Sequence, residues 1–343
     1  MQATISKILM SASVLAMVSC NEWHAQISTE VFRDGSCLRT VTTADEDCIT
    51  ADPVYDYYSM AVANDDSLKQ NDSIRNSILS ARFGRVEEMS VHPALQIFGE
   101  PVRSEAVLDK RFKWFYTDYT FTETFAGWQD NFNIPLTDYV TADEASFWFT
   151  GYPELTKGRT GEEIADFTSK LQEKMENWFY ASAWDIYFNT IAHFYDDIKN
   201  PPVDRKTFLG SRDSIIRIAF DRGVDFFDDQ RDELVDEYFK SDVFVKLDLT
   251  EDKYDIYSDT LYYRSLGMSG LQCDYKLSMP GRIIDAGYGT ISDDGSIEYR
   301  FDGGFMIPGD YTITASSRCV NVWAFLLSGL VLIVAVGSFF IKR

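Results

Sequence analysis

The stretch TGEEIADFTSKLQEKMENWF, residues 160–179, decides the fold that the sequence predicts. Thr160 and Glu163 form a capping-box pattern, in which each side chain bonds the other residue's backbone N–H at a helix start. Apolar residues then recur at helical spacing: Ile164, Phe167, Leu171, Met175, Trp178 and Phe179. The pattern continues to Asn200 and stops at Pro201-Pro202. This predicts a long central helix that breaks once.

A second helical stretch is predicted over about residues 205–240, with Gly223 as its weak point. Because a short Pro-Pro turn joins the two stretches, we expect an antiparallel helical pair. Before the helices the hydrophobic period is two. Alternating runs flank Asp34-Gly35, which is a strong hairpin signal, and RFKWFYTDYTFTETF (111–125) predicts one long strand, kinked or bulged near Asp118.

After Ser241 the period returns to two. Four segments are predicted as strands: KYDIYSDTLYYRSL (253–266), CDYKLSMPGRIID (273–285), SIEYRFD (296–302) and DYTITASSR (310–318). The order of strands, helices and strands predicts an α+β fold. In this prediction an antiparallel sheet is built from N- and C-terminal strands, a helical pair is inserted at about 160–241, and one transmembrane helix ends the chain.

The N-terminus has the pattern of a lipoprotein signal peptide. Lys7 precedes a short apolar run, and the small residue Ser19 stands directly before Cys20, as in the bacterial lipobox. This predicts a signal peptide over residues 1–19, acylation of Cys20 with palmitate as the expected lipid, and a lipidated linker over 20–26. The alternative is an ordinary secretory signal that contains a cysteine.

The C-terminus predicts a membrane span. Residues 322–341 carry no charge and measure about 30 Å as a helix, the thickness of a hydrocarbon core. Trp323 stands at the start of this run, and the basic residues 342–343 predict a cytoplasmic tail. Residues 27–318 would then form an extracytoplasmic domain on the cytoplasmic (inner) membrane, with a lipid-anchored N-terminus. A buried core helix is the alternative.

Charge and cysteines limit the function further. The chain has 54 acidic and 32 basic residues, a net charge of −22, which disfavours nucleic-acid binding. Besides Cys20, four cysteines allow three disulfide pairings, and the shortest loop favours Cys37 with Cys48 among Cys37, Cys48, Cys273 and Cys319. No Cys/His cluster occurs, so no cofactor is expected.

Candidate chemistry is sparse. His193 and Asp197 lie four residues apart on one predicted helix face, where they would bind a metal or orient a base; a solvated helix surface is the alternative. A stripe of acids on the second helix predicts diffuse cation binding or a solvated face: Asp221, Asp225, Asp228, Asp229, Asp232, Asp236 and Glu237. The aromatic residues from Trp114 to Phe125 predict a core layer or a ligand cavity.

The C-terminal region also resembles a known family. MPGRIIDAGYGTISDDGSIEYRF (279–301), YTITASSR (311–318) and the terminal apolar run resemble the LppM-like lipoprotein domain family over residues 272–343. The resemblance rests on four residues: Pro280, Gly281, Gly295 and Tyr299. The N-terminal half is similar to lipoproteins of Bacteroidales. Both resemblances imply an envelope protein, and neither supplies a catalytic residue.

These patterns favour a non-enzymatic, membrane-anchored envelope lipoprotein with an interaction or assembly role at the outer face of the cytoplasmic membrane. Its expected partners are membrane lipid, through Cys20 and the C-terminal helix, and a membrane protein. The alternative is a lipid or small-ligand binding protein. A metal-dependent hydrolase around His193 and Asp197 ranks last, because no GxSxG, HExxH or P-loop pattern occurs.

Overall fold

The computed structural model describes residues 23–43, 59–60, 77–93, 95–97, 100–224, 226, 230–247 and 252–341. The described chain is α+β and divides into two compact units. The helical unit consists of Trp23, Gly127–Leu271 and Asp302–Asp310. The sheet unit consists of His24–Ala126, Gln272–Phe301 and the chain from Tyr311 onward.

The strands are β1 (Trp23–Val31), β2 (Cys37–Thr43), β3 (Ser59–Met60), β4 (Ser77–Phe83), β5 (Gln96–Ile97), β6 (Glu100–Pro101), β7 (Ser104–Lys113), β8 (Tyr116–Phe125), β9 (Leu271–Ser278), β10 (Arg282–Asp285), β11 (Thr290–Ile291), β12 (Ile297–Asp302) and β13 (Tyr311–Val320). The helices are α1 (Ala142–Thr150), α2 (Gly161–His193), α3 (Arg205–Gly210), α4 (Arg212–Arg222), α5 (Gln230–Phe239), α6 (Asp252–Arg264) and α7 (Val322–Ile341).

Two main sheets form within the described chain, where the sequence predicts one. The first has seven strands in the order β11-β12-β9-β1-β2-β4-β3, and the second has four in the order β10-β13-β8-β7; β5 and β6 pair separately. In the first sheet N-terminal β1 lies beside C-terminal β9. The predicted Asp34-Gly35 hairpin is confirmed: β1 and β2 pair antiparallel up to Val31 and Cys37, and Gly35 takes the left-handed conformation that the turn requires (φ 102°).

Alternation along the strands places apolar side chains inside the sheet unit. Phe125 of β8 and Tyr275 of β9 belong to different sheets, yet their ring centroids lie 6.4 Å apart. Phe125 also lies 5.1 Å from Phe301 of β12. The two sheets therefore pack face to face, and their inner faces form the core of this unit.

The predicted long strand over residues 111–125 is wrong. Residues 114–115 form a turn between β7 and β8, which pair antiparallel with Lys113 opposite Tyr116. The inner half of β8 is buried, with Tyr119, Phe121 and Phe125 in the core. The residues at the turn are exposed. The aromatic residues of this run therefore differ in role: those of β8 pack in the core, and those of the turn are exposed. Because aromatic residues occupy both parts, the composition does not indicate where the turn lies.

The helical unit is organised by α2. Thr160 caps its start, and the predicted capping box with Glu163 is confirmed. Aromatic and aliphatic side chains of α2 from Leu171 onward form the core together with residues of later segments: Leu171, Met175, Trp178, Trp184, Phe188 and Ile191 of α2, with Phe208 and Phe244. Helix α2 ends at His193, and only a short 3-10 turn over Tyr195–Asp197 follows where the sequence predicts helix to Asn200. Gly223, the predicted weak point, ends α4 in a left-handed conformation.

The described helical unit contains more than the predicted pair of helices. Residues 253–266, predicted as a strand, lie largely in α6, because Tyr254, Leu261 and Tyr262 also satisfy a helical spacing. Helix α1 is absent from the prediction, although Thr141 and Glu144 form a second capping box at its start. The helical region therefore extends well beyond the predicted insertion at 160–241.

The predicted transmembrane helix at 322–341 is wrong. Helix α7 forms there, but among the residues that the structure describes no helix is both long enough and apolar enough to cross a membrane.

Candidate functional site

A groove lies on the outer face of the seven-stranded sheet, within the sheet unit. It encloses about 640 Å³. Since side chains alternate between the two faces of a strand, the outward residues of five neighbouring strands line it together. They are Gln26 and Ser28 of β1, Thr40 and Thr42 of β2, Asp274 and Lys276 of β9, Glu298 and Arg300 of β12, and Thr290 of β11, with Tyr288 at the rim.

Asp274 lies at the centre of the ionic contacts in this groove. Arg300 Nε donates to Asp274 Oδ1 at 2.8 Å, and His24 Nε2 pairs with Asp274 Oδ2 at 2.9 Å. The hydrogen bond from Arg300 is the largest cause that lowers the pKa of Asp274, and it outweighs burial. The carboxylate is therefore ionised at neutral pH, with both oxygens engaged.

Tyr288 projects its ring from the segment between β10 and β11, where it is 71% exposed. Tyr299 Oη donates to the carbonyl of Ala286 at 3.0 Å and fixes this segment. Gly287 has φ 56°, and a Cβ there would lie 2.5 Å from the carbonyl oxygen of Thr314. The segment follows β13 so closely that only glycine fits at 287, and this close approach sets the position of Tyr288.

Beneath the groove, a buried ionic network joins the two sheets. Arg39 of β2 donates from Nη1 to Oε1 of Glu123 on β8 at 2.8 Å, and both side chains are almost completely buried. Tyr275 Oη donates to Glu123 Oε2 at 2.6 Å, and Ser104 Oγ donates to Oε1 at 2.7 Å. Burial opposes the ionisation of Glu123, but the Arg39 charge and these hydrogen bonds outweigh it, so its pKa is lowered.

The side chains of this network make further hydrogen bonds to one another. Arg39 also donates from Nε to Thr29 Oγ1 at 3.2 Å, and Tyr275 Oη lies 2.9 Å from the same oxygen. Burial, followed by the Glu123 charge, raises the pKa of Tyr275 well above its usual value. Its phenol therefore stays protonated and donates. A saturated network of this kind fixes the register of strands rather than reacting with a ligand.

The predicted metal candidates lie in the helical unit and do not converge. His193 is exposed, and its ring stacks on Tyr257 with centroids 4.1 Å apart. Asp197 lies beyond the end of α2 and pairs with Lys253 Nζ at 3.0 Å. Within the described ranges, no group of three or more His, Cys, Asp or Glu side chains is arranged to hold a metal ion.

The other predicted site residues have different outcomes. Cys20, the signal peptide, Cys48 and residues 342–343 lie outside the described residues. Cys37 is buried, and burial raises the pKa of its thiol to about 11. The Cys37–Cys48 disulfide and the acylation of Cys20 therefore stay predictions. Residues 23–26, assigned to the linker from the sequence, belong to β1.

Sequence reasoning did not identify the groove. His24 and Asp274 are 250 positions apart in the chain, and they meet only because β1 lies beside β9. The polar alternation of β1 and β9 is the local signal for an outward face, but it does not reveal which strands are neighbours.

Comparisons with known proteins add no assignment. No protein-family model matches the chain, and no curated protein or solved structure shows significant similarity to it.

Proposed function

We propose that this protein is a cell-envelope lipoprotein, anchored through Cys20 at the outer face of the cytoplasmic membrane, that acts by binding rather than by catalysis. Its ligand is a small, polar, uncharged molecule with several hydroxyl groups, a saccharide by class. The observation that supports this is the groove of about 640 Å³ on the seven-stranded sheet. This volume lies within the range of small-molecule sites, about 300–1,000 Å³.

The charges that line the groove favour an uncharged ligand. Two cations, Lys276 and Arg300, are balanced by two carboxylates, Asp274 and Glu298. A ligand with a formal charge would meet side chains of both signs in this groove. Hydroxyl groups, which both donate and accept, fit a surface of mixed charge.

The neutral side chains of the groove favour the same class. Ser28, Thr40 and Thr42 present hydroxyls, and Gln26 presents an amide, so donors and acceptors alternate along two strands. The exposed ring of Tyr288 at the rim offers an apolar face on which the C–H groups of a sugar ring can stack. In a typical small-molecule site, polar side chains orient the ligand through hydrogen bonds, and an aromatic ring adds affinity.

The ionic contacts of the groove support a binding role. Asp274, the carboxylate at the centre of the groove, has its two oxygens engaged by Arg300 and His24. Each carboxylate oxygen keeps a further lone pair, so Asp274 is held in position by these contacts and can still accept a hydrogen bond from a ligand hydroxyl.

The test is calorimetric titration of the purified protein with a panel of neutral oligosaccharides, repeated with Tyr288→Ala. We expect one class to bind, and the variant to lose about tenfold in affinity, which corresponds to about 1.4 kcal/mol of ring stacking. Ile291→Ala is the matched control, because Ile291 is exposed on β11 and does not line the groove. Failure of every oligosaccharide to bind, or equal affinity in Tyr288→Ala, would contradict the proposal.

A further inference from the structure

The turn between β7 and β8 exposes aromatic side chains that its backbone conformation does not require. Two-residue hairpin turns favour Asn, Asp and Gly, which adopt positive φ. Here the turn positions hold Trp114 and Phe115, and neither has a positive φ. Trp114 is 47% exposed and the neighbouring Phe112 is 60% exposed. Large apolar rings in water at a turn require an explanation other than the turn itself.

These rings join the start of α7 in one patch, which we name the aromatic tip. It consists of Phe112, Trp114, Phe115, Tyr116, Trp323 and Phe325. Trp114 and Trp323 lie 5.3 Å apart between ring centroids, and Phe115 and Phe325 lie 4.6 Å apart. Trp114 Nε1 also donates to Ser328 Oγ at 3.0 Å. All six residues are within the sheet unit.

Hydrogen bonds of Asn321 connect the two parts of the patch. Asn321 Nδ2 donates to the carbonyl of Lys113 at 2.9 Å, and the Asn321 backbone N–H donates to the carbonyl of Phe115 at 2.9 Å. Thr117 Oγ1 donates to Asn321 Oδ1 at 3.1 Å. Asn321 and the Trp114–Ser328 hydrogen bond thus fix the hairpin turn to the start of α7, so the rings present a preformed surface.

The charges around the aromatic tip differ from those of the chain as a whole. The net charge of the protein is −22, yet cations lie beside the tip: Arg111 and Lys113 flank Phe112 on β7, and the Arg318 guanidinium lies 5.4 Å from the centroid of the Tyr116 ring. Lys113 and Arg318 share one carboxylate, that of Asp118, at 2.6 Å each. Arg111 pairs with Asp109 at 2.7 Å. Cations therefore outnumber carboxylates beside the exposed rings.

Rings flanked by cations match the interfacial layer of a bilayer. Trp and Tyr are enriched at headgroup depth, where their rings lie among acyl-chain ends and their polar atoms stay hydrated. Lys and Arg side chains reach phosphate oxygens from the same depth. A second copy of this acidic chain would gain nothing from the cations at a self-complementary patch, since like charges would meet across it.

We propose that the aromatic tip is a contact surface for a phospholipid bilayer, with its rings at headgroup depth and Lys113 and Arg111 directed to lipid phosphates. This surface is separate from the groove, and the proposal does not depend on the ligand of the groove.

Site-specific photocrosslinking tests it. A photoreactive phenylalanine replaces Phe112 in the full-length protein, which is irradiated with vesicles of phosphatidylethanolamine and phosphatidylglycerol. The control position is Ile291, which is similarly exposed and distant in the chain. Circular dichroism checks the fold of each protein. We expect lipid adducts at 112 and not at 291, and a several-fold loss of adduct when Lys113→Glu is added.

Each other result would overturn the proposal. Equal lipid adducts at 112 and 291 would indicate nonspecific contact, and adducts between two copies of the chain would assign the tip to a dimer interface. Absence of any lipid adduct at position 112 would show that the aromatic tip does not contact lipid. Binding in the groove is measured separately, so failure of one proposal is distinguishable from failure of the other.

Discussion

The two units satisfy buried charge in different ways: the sheet unit by an enclosed ion pair, and the helical unit by a partly exposed pair and by backbone N–H groups that donate to the buried Asp236 carboxylate. In the sheet unit, Arg39 and Glu123 form a completely enclosed ion pair between the two sheets. In the helical unit, the centre of the core is aromatic, and the ion pair of Asp185 with Arg212 lies at its edge, with the Arg212 side chain 27% exposed. Truncation of an apolar core side chain lowers the free energy of unfolding in proportion to the atoms removed. Removal of one member of a buried ion pair lowers it by a large amount in one step, because the remaining charge has no partner.

The largest effect is expected from Glu123→Ala. Removal of the carboxylate leaves the Arg39 guanidinium buried and unpaired, and such a loss costs about 3–5 kcal/mol. Urea denaturation, followed by a signal from the sheet unit, measures the free energy of unfolding.

The control for this change is the double variant Arg39→Met/Glu123→Leu. It removes both charges and keeps apolar volume, so we expect most of the lost stability to return. If Glu123→Ala unfolds with wild-type stability, or if the double variant is no better than the single one, the buried pair does not hold the two sheets together.

Acid should act on the same pair. The folded-state pKa of Glu123 lies below its ordinary value of 4.5. Its contribution to stability is therefore fully present above about pH 4.5 and is lost as the pH falls through the folded-state pKa. We expect the stability of the wild-type sheet unit to fall more steeply with acid than that of the Arg39→Met/Glu123→Leu variant. Denaturation curves at several pH values below 4.5 check this, and parallel slopes for the two proteins would contradict it.

Local signals in the sequence predicted local structure. The capping box at Thr160 and Glu163 and the Asp34-Gly35 turn each lie within a few residues, and both are confirmed. The strand prediction for residues 253–266 is wrong because the apolar residues of this segment satisfy both a strand and a helix period. The turn at Trp114 and Phe115 carries none of the residues that usually indicate a hairpin, so no local pattern could reveal it.

The groove and the buried pair were beyond sequence reasoning for a different reason. Arg39 and Glu123 are separated by 84 positions, and His24 and Asp274 by 250. Each contact depends on which strands become neighbours, and strand order is set by the packing of the whole unit rather than by any one strand. A charged residue in an alternating strand is normally predicted to face solvent. Arg39 and Glu123 are enclosed because the second sheet covers them, which no single strand indicates.

The smallest loss of stability is expected from truncation of an apolar side chain in the aromatic core of the helical unit. Ile191 on α2 is 1% exposed and lies within this core. Ile191→Val removes one methyl group and leaves no polar group unpaired, so we expect a loss of about 1 kcal/mol in the free energy of unfolding. Urea denaturation measures it, with the exposed position Val91 of the sheet unit, changed to Ala, as the control for a surface apolar residue. A loss as large as that of Glu123→Ala would show that the helical core also responds abruptly, and the contrast between the two units would then not follow from the buried charge.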